Sequence, residues 1–155
     1  MNFEEHAQHL GSLVAHLHSL EFILRAYLCG QKGPKAVGLP HGADIYSLPV
    51  GVEVPESDLT SYDTLERLIK KVNASMTSRV LTGLDLDIVT LRDAIAHGRV
   101  SAAEGDGHQR LLKFEKPVGG KARISFNEVM DLAWFKSNNR KVYDALMHVH
   151  KHLAP

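Results

Sequence analysis

Leu84-Asp85-Leu86-Asp87-Ile88-Val89-Thr90-Leu91-Arg92-Asp93-Ala94-Ile95-Ala96-His97-Gly98 is the stretch on which the reading of this chain turns. Leu84, Ile88, Leu91 and Ile95 recur at the spacing that lays one apolar stripe along a helix, which predicts that these four anchor it in a core. Thr82 with Asp85 resembles a capping box ahead of it, and Gly98 is the residue that a left-handed cap favours at its end. The last turns then carry a permanent cation, Arg92, and a group that titrates near neutrality, His97. Arginine can hold a phosphate with a planar fork of donors, and histidine can move a proton near neutral pH without a special environment, so the pair suits phosphodiester chemistry. A helix turns about 100° per residue, so residues five apart sit roughly 140° apart around the axis and about 7.5 Å apart along it. Arg92 and His97 therefore do not share a face. A site built from both needs the arginine to lean round, the last turn to unwind at Gly98, or a second copy of the helix to supply the other member. Two-fold dimers are the commonest assembly, and crossing two such helices at a dimer interface would gather both residue types in one cleft.

The rest of the chain reads as helices around one small β element. From Phe3 to Tyr27 the positions Leu10, Leu13, Leu17, Leu20, Leu24 and Tyr27 describe a long amphipathic helix, closed by Gly30, Gly33 and Pro34. Residues 30–57 include Pro40, Pro49 and Pro55 and read as a long irregular connection. A second helix is expected from about Ser57–Ser61 to Met76, on the stripe Tyr62, Leu65, Ile69, Val72 and Met76. Beyond Gly98 the period shortens. Gln109–Glu115 and Ala122–Phe126, separated by Pro117, Gly119 and Gly120, predict a β-hairpin over about 108–126. Ser125 followed by Glu128 suggests a capping box for a last helix with Leu132, Phe135, Val142, Leu146, Val149 and Leu153 on one side, and Ser137-Asn138-Asn139 as a place to bend. The expected fold is mainly α: a four- to five-helix bundle with a small β-hairpin insertion before the last helix, forming a single domain over 1–155.

Composition narrows the function classes. Eighteen basic and eighteen acidic residues give no net charge, so the chain as a whole has no long-range attraction for a polyanion, and extended non-specific DNA binding is not expected. The charge is locally uneven, however. Between Gly107 and Ile124, Arg110, Lys113, Lys116, Lys121 and Arg123 face only Glu115, making a basic arm whose plainer reading is a solvated face. Cys29 is the only cysteine, which excludes an internal disulfide and fits packing near a helix end. Glu4 and Glu5 stand where a secretion signal would be basic, and no segment is long enough to span a bilayer, so a cytoplasmic protein without membrane contact is expected.

Arg92-Asp93-Ala94-Ile95-Ala96-His97 resembles the Arg, polar residue, spacer, His signature of the HEPN superfamily (higher eukaryotes and prokaryotes nucleotide-binding). Ala96-His97-Gly98 is a frequent local form of it. Asp93 stands where many members carry Asn, and Arg99 where the toxins paired with nucleotidyltransferases carry Tyr. The resemblance is specific over about ten residues. It implies a compact α-helical bundle with the signature at the end of the third core helix. Where catalytic, it implies a dimeric, metal-independent ribonuclease with Arg92 and His97 as catalytic residues and no cofactor. His97 would take a proton from an RNA 2′-hydroxyl or give one to the leaving oxygen, while Arg92 stabilises charge on the phosphate. Asp93, with Glu21 and Arg25 of the first helix, would support the site, and Arg99, Arg110, Lys113, Lys121 and Arg123 would contact RNA. A homodimer, RNA and a cognate antitoxin or other protein are the partners such a conflict-system protein implies. The alternative is a catalytically silent domain of the same architecture that binds RNA, nucleotide or protein. Read from the residues alone, His97 can simply serve the last carbonyls of its helix, Arg92 can pair with Asp85 or Asp93, and Glu21 with Arg25 can be an intrahelical ion pair.

Other constellations carry less. His148 and His152 share a helical face, but no carboxylate or cysteine nearby in sequence completes a tetrahedral metal site, and His6 and His9 read the same way. The glycines of residues 30–42 lack the lysine and the strand-to-helix context of a phosphate cradle, and no serine sits in a nucleophile elbow. Trp134 and Phe135 read as core or interface residues.

Overall fold

Helix α1 (Phe3–Gln31) opens on a reciprocal cap between Asn2, just before it, and Glu5 in its first turn. The Asn2 side chain accepts from the Glu5 backbone N–H at 2.8 Å, and the Glu5 carboxylate accepts from the Asn2 N–H at 3.0 Å. The other elements are α2 (Leu65–Thr77), α3 (Asp87–His97), β1 (Arg99–Ala102), β2 (Gln109–Phe114), β3 (Ile124–Val129) and α4 (Leu132–His150). The computed structural model describes residues 1–33, 47–79, 81–102 and 109–153. The middle of the expected 30–57 connection, with Pro40, lies outside the described residues, as do residues 107 and 108 at the start of the expected arm and hairpin. The chain is mainly helical with a small three-stranded antiparallel sheet, ordered β1-β2-β3. None of the described helices is long and apolar enough to cross a membrane.

By internal packing the chain divides into two compact units, Met1–His18 with Asp85–Asp144 and Ser19–Leu84 with Ala145–Pro155; α1 and α4 lend residues to both. In the first unit the buried apolar residues are Leu13 and Leu17 of α1, Ile88, Leu91 and Ala94 of α3, Leu111, Met130, and Phe135 and Val142 of α4. In the second they include Leu20, Leu24, Tyr27 and Cys29 of α1, Leu65, Leu68, Ile69, Val72 and Met76 of α2, and Val149 of α4. The expected stripes thus hold for α1, for most of α2 and for Phe135, Val142 and Val149.

Several boundaries differ from expectation, each for a local reason. α2 begins at Leu65, capped by the Thr64 hydroxyl, so Tyr62 precedes the helix and is fully exposed. The Ser57–Ser61 stretch forms a turn instead, with Thr60 Oγ1 accepting from the Ser57 N–H. The Thr82–Asp85 box does not form, because α3 starts only at Asp87 and has no side-chain cap at Leu86. Its approach is held otherwise: Asn73 of α2 both donates to the Leu84 carbonyl (2.9 Å) and accepts from the Leu84 N–H (2.6 Å), and His148 Nε2 lies 2.8 Å from the Thr82 carbonyl. Ala94, not Ile95, completes the buried face of α3, Ile95 being half-buried. Ser125 and Glu128 cap nothing, since β3 runs through both. α4 is capped by Asp131, whose carboxylate accepts from the Trp134 N–H at 2.7 Å, and this start leaves Leu132 exposed. α4 then passes unbroken through Ser137-Asn138-Asn139, whose amides donate back to the Trp134 and Phe135 carbonyls.

The predicted hairpin is present and gains a third strand. Gly119 and Gly120 both have positive φ (58° and 74°) between the bridged pair Val118 and Lys121, the two-residue turn whose twist suits a hairpin. β1, four residues directly after α3, pairs antiparallel with β2 so that Arg99 stands opposite Leu112 and Ser101 opposite Arg110. Gly98 makes this junction possible for a reason other than a left-handed cap. Its backbone is extended (φ −76°, ψ 173°), a conformation open to any residue. A Cβ there, however, would lie 2.3 Å from the Ala94 carbonyl oxygen and 2.6 Å from Leu111 Cδ1. Only glycine lets the end of α3 pass this close to β2.

Candidate functional site

The end of α3 and the middle of β2 together build the site. Burial of Ile88, Leu91 and Ala94 sets the rotation of α3 and leaves Asp93 and His97, four apart, on its outer side. Burial of Leu111 sets the parity of β2: Gln109, Leu111 and Lys113 face α3, and Arg110, Leu112 and Phe114 face the other way. Lys113 accordingly reaches α3 and donates to Asp93 Oδ2 in a close ion pair. The second oxygen, Oδ1, lies 3.6 Å from His97 Nε2, within ion-pair range though longer than a hydrogen bond. One carboxylate is thus shared between an ammonium that is largely shielded (22% exposed) and an imidazole that is largely open (64% exposed). Arg92 is half-buried and sits one residue, about 100° around the helix, from Asp93.

The structure therefore brings together His97, Asp93 and Lys113, with Arg92 adjacent in sequence. It does not keep the five expected RNA contacts on one surface. Lys113 is turned inward to Asp93. Arg99 and Arg110 lie on the opposite face of the sheet, where the Arg99 guanidinium stands 5.4 Å over the Phe114 ring and Arg110 Nη1 donates to Asn127 Oδ1 at 3.1 Å. Lys121 and Arg123 are exposed at and beyond the hairpin turn. Arg25 serves the other unit: Nη1 donates to the Ser61 carbonyl (2.6 Å) and hydroxyl (2.9 Å), and Nη2 to the Asp63 carbonyl (2.9 Å), gripping the segment before α2. Glu21 precedes it by one turn of α1 within the same unit. The pairing of Lys113 with Asp93 and the seat of Arg99 on Phe114 were not anticipated. Strand parity counted from Leu111 is the signal that finds both.

Two other places compete. A cleft of about 500 Å³ in the second unit is lined by Lys32, Glu56, Asp58, Asp63, Arg67 and Lys71 among others, but its charges largely satisfy one another. Asp58 pairs with Lys32 and Lys71, and Asp63 with Lys71 and Arg67. The hydrogen bond from Lys71 is the main reason the Asp63 carboxyl is held below its ordinary range. In the first unit His6 is buried with neither ring nitrogen hydrogen-bonded, edge-on to Phe135 at 5.1 Å, while His9 stacks on the same ring. Burial, then the neighbouring His9, pushes the His6 imidazole below its ordinary value. His148 and His152 meet edge to face, and among the described residues no group of three or more His, Cys, Asp or Glu side chains gathers as a metal site would require. The chain matches no protein-family model, no curated protein and no solved structure.

Proposed function

We propose that the protein is a metal-independent RNA endonuclease of the HEPN type, with His97 and Arg92 as its catalytic residues and Asp93 and Lys113 positioning the imidazole. The observation that carries this reading is the open His97 imidazole beside a carboxylate that Lys113 holds from a separate element. In the reaction the RNA 2′-oxygen forms a bond to phosphorus and the bond from phosphorus to the 5′-oxygen breaks. One imidazole accepts the 2′-hydroxyl proton while an acid returns a proton to the leaving oxygen, giving a cyclic phosphate and a free 5′-hydroxyl. Asp93 stabilises the imidazolium that forms, and Arg92 neutralises charge growing on the phosphate. Two copies of α3 about a two-fold axis would supply the base and the acid from two His97 side chains, so a homodimer belongs to the proposal. So do the HEPN-like bundle, a cytoplasmic setting and control by a cognate antitoxin.

Incubation of the purified chain with single-stranded RNA in EDTA tests it. Cleavage to cyclic-phosphate ends is expected, with a loss of about 10² to 10⁴ in rate for His97→Ala, the usual contribution of a positioned acid or base. Arg92→Ala should lose cleavage as well, and DNA, lacking the 2′-hydroxyl, should stay intact. RNA that survives with the unaltered protein, yet binds to it, would replace the nuclease by a silent binding domain.

A further inference from the structure

The sheet has a second face that the site at α3 does not use. Arg99, Arg110, Leu112, Phe114 and Asn127 stand on it by strand parity, and among the described strand residues no acidic side chain shares it, Glu128 being on the α3 side and accepting from Trp134 Nε1. Arg99 is exposed and its guanidinium carbon lies 5.4 Å over the centre of the Phe114 ring, so a cation and an aromatic side chain meet on this side of the sheet within reach of solvent. Beside that pair opens a cleft of about 390 Å³, lined by Arg99, Phe114, Glu115, Lys116, Pro117 and Ala122. Further along the same face Asn127 holds Arg110.

From this juxtaposition we infer that the outer face of the sheet is a binding platform for single-stranded nucleic acid, one base stacking at the Arg99–Phe114 pair and the adjoining phosphates meeting Arg110 and Lys116. Flat cationic and aromatic groups stack on any base, and a strand without a partner exposes its base faces, whereas a duplex hides them. The charge pattern selects the occupant. Arg99, Arg110 and Lys116 outnumber the one acid beside them, Glu115, so a second copy of the same face would leave cations facing cations, while a polyanion neutralises them. Because the chain carries no net charge, attraction must come from these few side chains, and the salt dependence should be shallow. The platform does not depend on His97 and stands whether or not that residue cuts RNA.

Fluorescence anisotropy of the full chain with a short labelled oligouridine tests this, in the His97→Ala variant so that the probe stays whole, with an oligothymidine as an uncleavable second probe. Two to three phosphate contacts predict affinity falling by about 7- to 18-fold between roughly 50 and 200 mM salt, from a slope of about 0.7 per contact on single strands. Arg110→Gln should remove about 0.7 from that slope. Arg99→Gln and Phe114→Leu should weaken binding by about five- to a hundredfold through loss of stacking, and Arg99→Gln, a surface change, guards against misfolding of the second variant. Unaltered affinity in both Arg99→Gln and Arg110→Gln overturns the proposal, and so does a blunt duplex binding as tightly as the single strand. Self-association of the free chain that Arg110→Gln abolishes would assign the face to a second copy instead.

Discussion

Replacing Gly98 by alanine separates two explanations of the same glycine. The backbone there is extended, so alanine meets no φ/ψ penalty and the whole cost is steric. The new Cβ would start 2.3 Å from the Ala94 carbonyl oxygen, and real Cβ contacts essentially never fall under 3.0 Å, so something must move by at least about 0.7 Å. The obstacle is backbone of α3's last turn and cannot rotate away; Leu111 Cδ1, at 2.6 Å, is the only part that can yield. Overpacking of this kind costs about 1–3 kcal/mol. The displacement also stretches the 2.7 Å bond from the Gly98 N–H to the Ala94 carbonyl, a hydrogen bond worth about 0.5–1.5 kcal/mol. Together these give a destabilisation of about 1.5–4.5 kcal/mol, or a Tm lowered by about 3–18 °C for a chain of this size. Thermal and urea unfolding followed by circular dichroism would measure it. Gly98→Asn should be at least as damaging, although asparagine is tolerated at left-handed caps. Adding Leu111→Ala should recover part of the loss in a double-mutant cycle, as residues in contact couple by about 0.5–3 kcal/mol. An alanine variant with unchanged Tm, or an asparagine variant more stable than the alanine one, would refute the close-approach explanation.

Three further expectations rest on single residues. His6 has a folded-state pKa below 6.5, so the unfolded chain binds the proton first and stability falls as pH drops from about 6.5 toward the folded value. Tm should therefore decline on acidification in the unaltered protein and decline less in His6→Leu; parallel profiles would refute this. Asn73→Ala removes both hydrogen bonds to the buried Leu84 peptide groups and should cost about 2–4 kcal/mol. A loss in urea unfolding no larger than an exposed substitution gives would mean water replaces the amide. Asp131→Ala deletes the α4 cap and should cost about 1 kcal/mol, with Asp131→Ser restoring most of it; equal stabilities would show that the cap contributes nothing.

Helices were legible wherever a buried stripe forced its period on the residues. Leu13, Leu17, Leu20 and Leu24 could be read as the inner side of α1, and Leu65, Ile69, Val72 and Met76 as that of α2, because a helix that packs on one side repeats every 3.6 residues. Starts were less legible, since Ser, Thr and Asp cap only when the first turn falls two or three residues beyond them. Thr82, Ser125 and Ser57 carry the right chemistry at positions where no helix begins. β1 is hard to read because Arg-Val-Ser-Ala, although it alternates, is only four residues long and ends on a small side chain; its pairing depends on β2, about ten residues further on. Arg92, Asp93 and His97 can be picked out from local pattern, but the side of the sheet on which Lys113 stands cannot. Its direction follows from which β2 residue is buried, and that is decided by α3 packing against the sheet.

Lys113 and Phe114 are neighbours in the chain yet look out on opposite sides of a layer one backbone thick. Whichever chemistry each side performs, the two are written on odd and even positions of a six-residue segment and cannot drift independently. Deletion of Leu112 would withdraw the ammonium from Asp93 and bring the aromatic ring into its place, and insertion of one residue there would likewise turn both side chains to the opposite side. Point substitutions can tune either surface alone, whereas a change in length here must alter both at once.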